Sequence, residues 1–140
     1  MLVTDLGDLL ATGGAGTVGS TAAWGIYLGR MPESPDRCIT VYETGGVSSL
    51  HTMSTGPGNA VLERPRAQVV VRAPEGNYST GREKIQEVVR LLDGLRPRMI
   101  NTTQYYWAAS VQSPFVLDRD ANERIRFVVN FDVAKALSTA

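Results

Sequence analysis

The sequence holds one cysteine, Cys38, one histidine, His51, and no surplus of either charge: fourteen Lys and Arg balance fourteen Asp and Glu. A lone cysteine excludes an internal disulfide and a cysteine-based metal site, so the cytoplasm is the default compartment. Zero net charge removes any overall attraction to nucleic acid or to an anionic membrane, which disfavours a DNA-coating role. Long hydrophobic runs are also missing. The longest weakly apolar stretch, residues 18–29, is broken by Gly19, Ser20, Thr21 and Gly25, and it falls short of the roughly 20 apolar residues a bilayer span needs. Asp5 and Asp8 replace the basic opening of a signal peptide, so a soluble, non-exported chain with no membrane partner is expected.

What is present suits one globular domain over residues 1–140, with 43% hydrophobic and 20% charged residues. Leu2, Val3, Leu6, Leu9 and Leu10 recur at helical spacing and predict a helix over 2–11, ended by Gly13 and Gly14. Residues 26–28 and 38–43 predict two strands, joined by an extended link that Pro32 and Pro35 enforce. Ala67, Val69 and Val71 share one face of a strand over 67–72. The stripe Ile85, Val88, Val89 and Leu92 predicts a helix over 81–93, with Thr80 and Glu83 at capping-box spacing and Gly94 as the stop. Tyr105, Trp107, Ala109 and Val111 alternate as one face of a further strand, 115–117 continues after Pro114, and 118–123 is a polar turn. Ile125, Phe127, Val129 and Phe131 then give the strongest period-two signal in the chain.

Residues 44–66 gather Gly45, Gly46, Gly56, Pro57, Gly58 and Pro65 among many Ser and Thr, and predict a long flexible loop. The order is thus α-β-β-long loop-β-α-β-β-β. It points to an α+β fold: a mainly antiparallel or mixed sheet, two helices packed on one face, and one long inserted loop.

Several apparent motifs lack their context. Residues 14–19 match the dinucleotide fingerprint G-x-G-x-x-G, but a helical period precedes the glycines and a short path to a strand follows them. The pyrophosphate site needs the reverse, strand then helix. Cys38 and His51 carry no catalytic signature around them; a small buried Cys38 and a solvated His51 are the simpler readings. Asp118, Asp120 and Asn122 stand at EF-hand-like spacing, yet Glu123 occupies the glycine place and Val129 the glutamate place, so a hairpin turn is preferred. Tyr105, Tyr106 and Trp107 with Arg96 and Arg98 could stack on single-stranded nucleic acid, but strands favour aromatics anyway, and core or subunit-interface packing is preferred. No catalytic, cofactor or metal residue is assigned.

The succession over 26–32, Pro35-Asp36, and Ile39-Thr40-Val41-Tyr42-Glu43-Thr44-Gly45-Gly46 resembles the phage minor capsid or tail terminator family of long-tailed phages. The order and spacing of 65–72, the helix ending at Leu92-Asp93-Gly94-Leu95, and the stretches 114–120 and 127–131 are similar too. The resemblance covers nearly the whole chain, and residues 41–46 are its most specific piece.

It implies a non-enzymatic virion protein that forms a homo-hexameric ring, caps the tail tube, ends tail growth and docks to the head-tail connector or head completion protein. Its place would be the tail or neck of the virion, reached from the host cytoplasm, with the ring around the DNA path but reading no sequence. Cyclic symmetry then demands two different complementary faces on each copy. The loop from Thr44 to Pro65 is expected to project toward a neighbour or the tube, Gly45 and Gly46 allowing its departure from the sheet. Gly45, Gly46, His51, Arg72 and Tyr78 are the candidate interaction residues. A different neck or tail-completion protein, a generic small binding domain and, last, a nucleotide-binding enzyme remain the alternatives.

Overall fold

In the computed structural model residues 1–19, 24–50 and 62–136 are described. The chain runs α1 (Leu2–Thr12), β1 (Thr17–Val18), β2 (Gly25–Leu28), β3 (Cys38–Leu50), β4 (Leu62–Ala73), α2 (Tyr78–Leu92), β5 (Arg98–Ile100), β6 (Thr103–Ser110), β7 (Phe115–Arg119) and β8 (Ile125–Lys135). The sheet is ordered β1-β2-β3-β4-β8-β6-β5. β1, β2 and β3 are mutually parallel, whereas β3, β4 and β8 pair antiparallel. β4 follows one edge of β8 along its length, while β6 and β7 share the other edge at its two ends.

This corrects the expected α+β layer. Strands make up 49% of the described residues and helices 21%, and the sheet is a curled half-barrel rather than a flat layer with two helices packed on it. Two features produce the difference. First, within the segment read as a long loop, residues 44–50 and 62–66 are strand, while 51–61 lie outside the described residues: β3 continues to Leu50 and β4 begins at Leu62, with Thr44 paired to Arg66, Val47 to Arg64 and Leu50 to Leu62. Second, register shifts interrupt β3–β4 at Thr44/Val47 and Val47/Leu50, β6–β8 at Tyr105/Trp107 and β7–β8 at Val116/Asp118. Each such bulge bends its strand and increases the twist, which curls the sheet.

The core forms where the two sequence periods meet. Leu6 and Leu10 of α1, and Ile85, Val88 and Leu92 of α2, join Ile39, Val41, Val69, Val71, Ile125, Phe127, Val129 and Phe131 in one buried cluster. Burial of each such side chain is worth about 1.5–3 kcal/mol. α2 lies close to the sheet because Gly81 carries no side chain; a Cβ there would meet Phe127 Cε2 at 2.6 Å and Ala73 Cβ at 2.9 Å.

Smaller differences have local causes. α2 starts at Tyr78 behind Asn77, so Thr80 and Glu83 lie within the helix and no side chain caps it. The shift in β6 breaks the expected alternation: Tyr105 and Ala108 are buried, whereas Trp107 faces out. The two short strands β1 and β5 carry too few residues for a sequence period.

Candidate interaction surface

The half-barrel leaves strand edges open, and their side chains are unusual for an edge. Among the described residues β7 pairs with β8 alone. Phe115, Val116 and Leu117 along it are 44%, 41% and 45% exposed. Successive residues of a strand point to opposite faces, so β7 presents apolar side chains on both. Natural edges are usually short, charged, bulged or covered. β7 keeps a bulge and the Asp118–Arg126 ion pair (Arg126 Nε to Asp118 Oδ1, 2.6 Å) but offers three apolar residues in a row.

A second open edge lies diagonally across the sheet. β2 follows β3 as far as Val41, where the Gly29 amide donates to the Val41 carbonyl at 2.8 Å. From Tyr42 to Leu50, β3 pairs with β4 alone among the described strands. Val47 and Leu50 are exposed there. The hairpin is held from the other side: Arg64 donates to the Ser48 carbonyl at 3.0 Å through Nε and 2.6 Å through a terminal nitrogen, Arg66 pairs with Asp132 at 2.8 Å, and Lys135 pairs with Glu63 at 2.8 Å.

The structure separates the five residues named from sequence. Gly45 and Gly46 lie in the β3 hairpin arm, both exposed. A Cβ at Gly46 would stand 2.3 Å from the Arg64 carbonyl oxygen, so close backbone approach at a bulge explains this glycine, not a departure from the sheet. His51 falls outside the described residues. Tyr78, about half exposed, opens α2 and sets its ring edge-on to Phe127 at 5.2 Å between centroids.

Arg72 is buried. Its guanidinium donates to the carbonyls of Asp36 at 3.0 Å, Pro35 at 2.7 Å and Glu33 at 3.4 Å. Arg124, also buried, reaches the same segment through Asp36 at 3.3 Å and holds Asp120 at 2.7 Å. Together the two arginines staple residues 33–36 against β4 and β8, a role that sequence reading missed because an arginine in a strand looks solvated.

The remaining motifs resolve locally. Gly14 and Gly16 stand between a helix and the two-residue β1, the opposite order from a dinucleotide site, Gly19 follows β1, and a Cβ at Gly16 would meet the Trp24 carbonyl oxygen at 2.4 Å. Asp120 closes the β7–β8 turn by accepting from the Asn122 amide at 2.9 Å and the Arg124 amide at 3.0 Å. Cys38 is fully buried; burial pushes its thiol up, against the lowering pull of Arg72. Tyr106 and Trp107 are exposed on β6, with Met99 exposed on β5. No described helix is long and apolar enough to cross a membrane.

A strand-rich half-barrel whose unsatisfied chemistry lies in open backbone edges and exposed apolar side chains belongs to the class of proteins that act through contact surfaces. Within that class the chain belongs to the bacteriophage tail terminator protein family, whose model matches residues 9–136. This is a family of structural proteins of the phage tail, as the sequence resemblance implied. None of the curated proteins matches the sequence.

Proposed function

We propose that the chain forms a homo-hexameric ring that caps the finished tail tube, stops its growth and joins the tail to the head-tail connector. The family match over residues 9–136 carries this reading. The two separate open edges support it, because a cyclic assembly needs a heterologous interface between unlike patches. A chain of zero net charge also meets little overall repulsion between copies. In this reading the protein performs no catalysis, assembles in the host cytoplasm and encircles the DNA path without reading sequence. The exposed glycines Gly45 and Gly46, with Tyr78, lie at contact positions, and Arg72 acts indirectly by holding the segment beside β3.

The test is tail length. Phage particles assembled without the protein should carry tubes of unregulated length and few joined heads, seen by negative-stain microscopy. Added protein should appear as a ring at one tube end and halt elongation. Tubes of normal, uniform length in its absence would overturn the proposal.

A further inference from the structure

Resting on that ring reading, we infer that the subunit interface is a strand addition. The open edge of β7 in one copy pairs with the open edge of β3, residues 42–50, in the next. Four observations converge on a second copy of this chain as the occupant.

An open strand edge carries a row of unpaired amides and carbonyls, so the ligand that fits it is another extended backbone. This chain supplies one. The β7 edge and the free β3 edge lie at opposite sides of the strand series β3-β4-β8-β7, so one copy can receive a neighbour at each side without using the same patch twice. The side chains match in kind: Phe115, Val116 and Leu117 on one edge face Val47 and Leu50 on the other, all exposed in the single chain.

Charge adds direction. Glu43 stands on the β3 edge and Arg119 on β7; both are exposed, and neither has an ion-pair partner among the described residues. The Gly29 amide bonds to Val41, so the backbone groups of Val41 point away from β4, and by alternation those of Glu43 do also. Those of Glu43 therefore lie on the free side. The two edges are offset along the strand direction, since β7 lies level with residues 38–40 of β3 while the free stretch begins at 42. Repeated addition with such an offset tilts the strands against the ring axis, as stagger does in a closed barrel.

The experiment uses two full-length variants, each blocking one edge: Leu117→Lys on β7 and Val47→Lys on β3. Both sites are exposed, and circular dichroism should show both variants folded as the wild type is. Native mass spectrometry over a concentration series, with and without tail tubes, should give rings for the wild type. Each variant alone should stay monomeric, with an assembly midpoint raised at least about tenfold. Mixed in equal amounts, the two should form a one-to-one dimer and no ring, because one good β3 edge and one good β7 edge remain.

Rings from either variant at the wild-type midpoint would overturn the strand addition and leave the ring reading standing. So would monomers that fail to pair on mixing, which would mean that these two edges do not meet. A wild-type chain that never self-associates, alone or on tubes, would overturn the ring reading and this inference with it.

Discussion

The Tyr105 hydroxyl donates a 2.5 Å hydrogen bond to Asp5 Oδ2 across one hundred positions of sequence, tying the first helix to β6 in the core. Asp5 is 1% exposed and would be a costly buried carboxylate without partners. Asn101 supplies a second bond to Oδ1 at 3.1 Å from the tight β5–β6 turn, where it and Thr102 adopt positive φ. Tyr105→Phe leaves that carboxylate short of a donor and should destabilise the fold by about 1–3 kcal/mol, read as a lower urea midpoint.

The same contact sets the alkaline limit. Burial, the Asp5 hydrogen bond and the Asp5 charge all push the Tyr105 phenol above its ordinary value of 10, and burial raises Tyr42 likewise. A group whose folded value is raised binds its proton more tightly in the native state, so stability is intact below pH 10 and falls as pH climbs beyond it. Chemical unfolding between pH 9 and about 11 should show this decline, and Tyr105→Phe should flatten it. An equally steep decline in the variant would remove Tyr105 from the account.

Arg124 gives the acid counterpart. Some desolvation acts to raise the Asp120 carboxyl, but bonds from the Arg124 amide and guanidinium and from the Asn122 amide outweigh it, holding the carboxyl below its ordinary 3.8. A depressed value means the native state favours the charged form; this stabilisation is present above pH 3.8 and is lost as pH falls through the folded value. Asp120→Asn should therefore reduce the slope of stability against pH below about 4. Arg124→Met should cost about 2 kcal/mol at neutral pH, because it also releases residues 33–36. Matching melting temperatures for wild type and Arg124→Met would contradict this.

What could be read beforehand follows the strength of local periods. The strand faces Ala67-Val69-Val71 and Ile125-Phe127-Val129-Phe131 and the helix stripe Ile85-Val88-Leu92 announce themselves, because core contact imposes a period of two or 3.6. The hairpin arms 44–50 and 62–66 do not. Gly45, Gly46, Ser48, Ser49 and Pro65 have poor strand preference, and pairing with the partner strand overrides it. The exposure of β7 was likewise hidden: the sequence marks Phe115-Val116-Leu117 as a continuing strand, and only the topology shows its outer edge without a neighbour among the described residues. The curl of the sheet depends on bulges, which no alternation pattern announces. Of the candidate interaction residues, Gly46 owes its place to close backbone approach at a bulge, which the sequence does not announce, and Arg72 looked like surface because its partners are backbone carbonyls.

Cys38 offers an internal gauge of opening. The buried thiol, raised above its usual range by burial against the opposing charge of Arg72, is poorly placed to ionise or to meet a reagent. Native protein mixed with a disulfide reagent should label only as fast as β3 opens, and immediately in denaturant. Arg124→Met should speed that labelling by about tenfold or more, in line with its loss of stability. Instant labelling of the folded wild type would refute the enclosed position.

Gly46→Ala tests the hairpin without touching the core. The added methyl would sit 2.3 Å from the Arg64 carbonyl oxygen and 2.7 Å from Pro65 Cα, and both are backbone atoms that cannot swing aside as a side-chain end can. The arms of β3 and β4 must therefore separate at the bulge, which displaces the Arg64 bonds to the Ser48 carbonyl. The core pairs from Cys38–Arg72 to Glu43–Ala67 lie nearer the base of the hairpin and should survive. Thermal stability should drop by about 1–3 kcal/mol, while hydrogen exchange rises across 44–50 and 62–66 and stays low across 38–41. If the free β3 edge receives the neighbouring copy, the same variant should lose self-association well below its own unfolding temperature. Intact assembly with a disordered hairpin would instead place the contact elsewhere on the sheet.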